Sequence, residues 1–165
     1  MPGESHFLPP RVSSGTYLAG RIHAMSVCHA ASIVVDEESV AFFGPQDAHW
    51  RVPLAQIRVI GEVRSASLED AHCLAILIDD SGVWFQAPVR ASGMEQSLHR
   101  LADHCGAAFV LELDRAVTDS SRTLWPASLA NEPLFEWDEQ GRMSVRAKAL
   151  RAVRDVPAEA VDRRV

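Results

Sequence analysis

The chain predicts an α+β domain: several short antiparallel strands, one amphipathic helix behind them, and a tail with room for a further hairpin and helix. Three observations carry that reading. Apolar, β-branched runs of strand length recur between residues 32 and 89, and short polar turns separate them. Residues 92–106 have helical periodicity with a start signal and a stop signal. The order is short strands in hairpins first and then one helix, which closes the β-rich module near residue 106.

Residues 1–14 hold Pro2, Pro9 and Pro10 and read as an irregular leader. The stretch from Gly15 to Ala31 fits neither period cleanly and is read as strand in preference to helix. SIVV (32–35) and VAFFG (40–44) flank the acidic turn Asp36-Glu37-Glu38-Ser39 and form a hairpin. In HWRVPL, Trp50, Val52 and Leu54 alternate, and Pro53 places the strand at an edge or an end. QIRVIGEV (56–63) continues as strand, with Ile60 breaking the alternation and a bulge expected there. HCLAILID and VWFQAPV form a second hairpin around DDSG. Cys73, Ala75 and Leu77 share one face of its first arm, and His72, Leu74, Ile76 and Ile78 the other, so that strand is central and covered on both sides.

In SGMEQSLHRLADHCG, Ser92 and Glu95 have capping-box spacing, Met94, Leu98, Leu101, Ala102 and Cys105 make one stripe, and Gly106 ends the helix. AFVLELD (108–114) is expected as a strand and TDSSR (118–122) as a polar link. Beyond them, LFEW and RMSV around Asp138-Glu139-Gln140-Gly141 suit another hairpin, and SVRAKALRAVRD a helix. Its charges, Arg146, Lys148, Arg151 and Arg154, spread round the axis with Arg142 just before it, which predicts a loosely packed helix and not a membrane-surface one. The organisation is therefore a leader (1–14), a β-rich domain (15–114) with its helix at 92–105, and a tail (115–165) that packs on the domain or on a partner subunit.

Composition limits function. With 165 residues, 47% apolar, the chain can bury a core without disulfides or metal. A net charge of −6 argues against an electrostatic nucleic-acid binder. Three cysteines are too few and too odd for a disulfide framework, and neither a secretory signal nor a membrane-spanning run is visible, so a cytoplasmic location and no membrane insertion are expected.

SIVVDEESVAFFG, WRVPLAQIRVI and ILIDDSGVWFQAPV resemble bacterial pleckstrin-homology-like or GRAM-like domains, in which a polar–Pro–apolar–x–x–Ile strand follows an apolar strand pair, here Arg51 to Ile57. The resemblance spans about residues 16–106. It implies a strongly bent antiparallel sheet or partly open barrel with one C-terminal capping helix, and a non-catalytic scaffold that binds proteins or lipids and often self-associates, with no catalytic residues. The first hairpin turn is acidic, DEES, where inositide-binding relatives are basic.

Every cysteine touches a histidine: Cys28-His29, His72-Cys73 and His104-Cys105. Adjacent residues point to opposite strand faces, and zinc sites prefer Cys-x2–4-Cys or His-x3–5-His spacing, so buried thiols are the simpler reading. A small metal- or thiol-dependent enzyme using these pairs is the alternative. GTYLAGR (15–21) has phosphate-loop glycines without the Lys-Ser/Thr ending, and no other cofactor motif is present, so no cofactor is expected. The acidic pairs Asp36-Glu37 and Asp79-Asp80 belong to solvated turns. Trp125, Phe135 and Trp137 are candidate interface residues: large aromatics in a polar tail fold back onto the domain or bury themselves in a partner, including a second copy.

Overall fold

The computed structural model describes residues 31–45, 48–68 and 70–155. The leader, nearly all of the ambiguous 15–31 stretch (with Cys28 and His29) and the last ten residues lie outside them. The described chain is α+β, with antiparallel strands in three sheets, two helices and no closed barrel.

The first sheet has the order β1–β2–β3, from β1 (Ser32–Val35), β2 (Ser39–Phe43) and β3 (His49–Pro53). Its first turn closes because the Asp36 carboxylate accepts the N–H groups of Glu38 and Ser39 at 2.9 and 2.7 Å, a side-chain mimic of a backbone turn. The second sheet, β6–β5–β4–β7, is built from β4 (Val59–Arg64), β5 (His72–Leu77), β6 (Phe85–Pro88) and β7 (Ser120–Trp125). The third is the hairpin β8 (Phe135–Trp137) and β9 (Met143–Val145). Helix α1 (Met94–Cys105) lies against β1, and α2 (Ala147–Asp155) follows β9.

The second sheet is the middle layer, and the alternation along β5 separates two cores. Leu74 and Ile76 face the first, with Ile33, Val35, Val40, Phe42, Val52, Met94 and Leu101. Cys73, Ala75 and Leu77 face the second, with Leu129, Leu134, Phe135, Val145, Ala149 and Val153. Cover on both faces is why β4 and β5 read as near-continuous apolar runs. Trp50 joins the two larger sheets: its ring stacks on Phe42 at 5.7 Å, packs against Phe85 at 5.6 Å, and its Nε1 donates to the Gln86 carbonyl at 2.9 Å. The bulge expected at Ile60 appears on the β7 side, where the register shifts between Ile60 and Gly61.

Four local expectations are corrected. Ser92 does not cap α1: its backbone pairs with Ala31 and Ile33 beside β1, and Gly93, at φ 82°, precedes the helix without a side-chain cap. Residues 108–112 form no strand, and Leu113–Arg115 is a 3-10 turn, because the N–H groups of Glu112 and Leu113 go to a side chain, Glu62. The polar segment Ser120–Arg122 is not a link but the first half of β7, paired along β4. Helix α2 is clearly amphipathic: Ala149 and Val153, one turn apart, are buried, Leu150 pads the same core, and the charges take the remaining arc. Among the described residues no helix is long and apolar enough to cross a membrane.

Candidate functional site

Glu62 sits on β4, on the face turned towards the first core, and is 0% exposed. An ionised carboxylate can be held there only if its oxygens are matched by donors. They are matched from three directions. Arg122, directly opposite on β7, donates through Nε and Nη2 to Oε1 at 3.0 and 2.8 Å. His72 on β5 places Nε2 2.9 Å from Oε2, and because a carboxylate only accepts, that nitrogen carries the proton. The backbone N–H of Glu112 donates at 2.9 Å to Oε1, and that of Leu113 at 3.2 Å to Oε2.

Burial pushes the Glu62 carboxyl up, but the bonds from His72, the two backbone N–H groups and Arg122 outweigh it and hold the group below the usual glutamate value. Arg122, itself mostly buried, also donates Nη1 to the Glu112 carboxylate at 2.8 Å and to Asn131 Oδ1 at 3.2 Å, and Nη2 to the Val110 carbonyl. With every Glu62 oxygen engaged by the protein, the cluster is a structural and electrostatic hub and not a free base facing a substrate. Neither Glu62 nor Arg122 stands out in the sequence. The one signal for Glu62 is a lone charge inside the apolar run VIGEV.

His72 and Cys73 diverge as neighbours on a strand must. His72 joins Glu62, while Cys73 is buried in the second core and donates Sγ–H to the Asp70 carbonyl at 3.2 Å. Cys105 packs against the first core, so the second sheet lies between the two described thiols. Burial pushes both up to about 12, with the Asp70 charge adding to the shift at Cys73. Neither is a thiolate at neutral pH. His104 keeps its Nε2 buried without a hydrogen-bond partner, and no group of three or more His, Cys, Asp or Glu among the described residues could hold a metal ion.

The tail aromatics pack within the chain. Phe135 is fully buried against Trp84, with ring centroids 5.0 Å apart. Trp125 pads the first core and Trp137 the second, where Trp137 Nε1 donates to Ser65 Oγ at 3.3 Å.

The outer face of the first sheet is different. Strand alternation sends Ile33, Val35, Val40 and Phe42 inward and leaves Val34 and Phe43 outward, 52% and 49% exposed, with Ala41 on the same face. Arg51 and Asp36 border this patch, both about half exposed, with their charged atoms 3.5 Å apart. No family model matches the chain, and no curated protein or solved structure does either.

Proposed function

We propose that the chain is a non-enzymatic, cytoplasmic interaction module, a bent-sheet relative of the PH-like scaffolds, that self-associates through the outer face of its first sheet. The observation that carries this is the pair of exposed apolar side chains, Val34 and Phe43, on an otherwise ordinary strand surface. The patch is bordered by one base and one acid, Arg51 and Asp36, whose mutual ion pair is exposed and long. A twofold arrangement lets each copy's Arg51 meet the other's Asp36 while the apolar residues pack between them, the self-complementarity an isologous contact needs. Two exposed apolar side chains make a small contact, which favours a weak, concentration-dependent dimer. The unreactive state of the two described thiols and the saturated Glu62 carboxylate favour binding over catalysis.

The test is sedimentation velocity of the full chain over a wide concentration range, wild type beside Phe43→Asp. The expected result is a dimer that grows with concentration in the wild type and is lost in the variant. A wild-type protein that stays monomeric throughout, or a dimer indifferent to Phe43→Asp, overturns the reading.

A further inference from the structure

After Gly106 ends α1, the chain crosses to β7 without a strand, its one regular piece the 3-10 turn Leu113–Arg115. Polar bonds sew this strap down. Glu62 takes the N–H groups of Glu112 and Leu113, Arg122 holds the Val110 carbonyl and the Glu112 carboxylate, and Arg64 Nη1 donates to the Asp114 carbonyl at 2.8 Å. The apolar hold is slight by comparison: Phe109 packs on the first core, Leu111 and Leu113 are half-buried, and Val110 is exposed.

We propose that Glu62 is the latch of this strap: while the carboxylate is charged, residues 110–114 are fastened over β4 and β7, and when it is neutral they release as a unit while both cores stay packed. The argument is one of shared partners. Oε1 of Glu62 fixes Arg122 through two bonds, and the same guanidinium reaches Val110, Glu112 and Asn131. A protonated carboxyl loses the charge that aligns Arg122 and turns one oxygen into a donor facing donors. One of the strap's two N–H groups then loses its acceptor, the other keeps only a neutral one, and the arginine anchor loosens at the same step. The cores do not share this dependence, because their contacts are apolar and lie elsewhere on β4 and β5.

The charged and titratable groups facing Glu62 are His72 from β5, Arg122 from β7 and Glu112 from the strap, with Arg64 next along β4 and Asp114 beyond it. Glu62 titrates below its ordinary value of 4.5 in the folded chain. Its contribution is therefore present above that pH and lost as pH falls through the depressed folded value, so the strap is closed at neutral pH and opens in acid. Opening bares the Arg122 guanidinium and the end of the first core beside Phe109, surface separate from the Val34–Phe43 face.

Hydrogen exchange read by mass spectrometry on the full chain tests this with Glu62→Gln at neutral pH. The expected result is exchange at Glu112 and Leu113 faster by at least about tenfold, with β1–β3 and α1 unchanged. Unchanged exchange in the strap, or equal acceleration across every core peptide, overturns the latch. Should that variant fail to fold, the wild type is measured from neutral pH down to well below 4.5, as far as β4 and β5 keep their protection, against the exchange of an unstructured chain. Loss of strap protection before that of β4 and β5 upholds the latch, and simultaneous loss overturns it.

Discussion

Burying a carboxylate costs several kcal/mol unless its oxygens are matched by donors, and Glu62 is matched by a guanidinium, an imidazole and two amides brought from three elements. Little of the arrangement is legible in the sequence: His72 stands out only as the neighbour of Cys73 and Glu62 only as a lone charge in VIGEV, and no motif or spacing brings the two together with Glu112 and Arg122. The cysteines show the opposite case. Their apolar settings, Cys73 inside a strand and Cys105 on a helix stripe, are legible from periodicity alone, and the structure adds the chemical consequence that burial holds both thiols protonated. A native protein treated with iodoacetamide at pH 8 should therefore leave Cys73 and Cys105 unmodified, while the same treatment in denaturant modifies both. Peptide mapping reads the outcome, and rapid native labelling of either residue would contradict its placement in a core.

At the scale of elements, hairpins announce themselves and their neighbours do not. β1–β2, β5–β6 and β8–β9 are legible because each is two apolar runs around a turn of fixed chemistry. β7 is not, because its first half is Ser120-Ser121-Arg122, and those residues are strand only through pairing with β4. Conversely, residues 108–114 have strand-forming side chains but surrender two of their N–H groups to Glu62. The start of α1 shows the same competition. Ser92 has the chemistry of a cap, but its backbone is committed to β1, and the turn into the helix falls to Gly93 in a left-handed conformation. A Cβ at Gly93 would lie 2.5 Å from the Ile33 carbonyl oxygen, a backbone atom with no room to yield. Gly93→Ala thus combines a strained φ with a steric clash and should cost about 1–3 kcal/mol or more. Urea denaturation monitored by circular dichroism measures it, and a cost within error of zero would mean that the α1–β1 junction is looser than this geometry allows.

At the scale of the molecule, the described residues are organised around one sheet with a core on each face, and that bears on whether the residues from 115 to 155 form a separate unit. β7 hydrogen-bonds along β4, Thr123 exchanges backbone bonds with Asn131 and Glu132, and Leu134 and Phe135 complete the core beneath Val59, Val63 and Leu77. α2 is tied back by ion pairs from Lys148 to Glu132 and from Arg154 to Asp80, the latter in the β5–β6 turn, although such exposed pairs add little by themselves. If the two cores were independent, damage to the second would leave the first standing. Sharing β4 and β5 makes that unlike a two-domain chain: loss of packing under the middle sheet removes support from strands that also form the floor of the first core. Phe135→Ala, which empties a fully buried site in the second core, should therefore cost about 3–5 kcal/mol and do so in one transition. Hydrogen exchange under increasing urea would show β1–β3 and β8–β9 losing protection at the same denaturant concentration, both shifted equally by the substitution. Protection that survives in β1–β3 after β8–β9 has opened would instead divide the chain at the middle sheet, with the first core able to fold without the second.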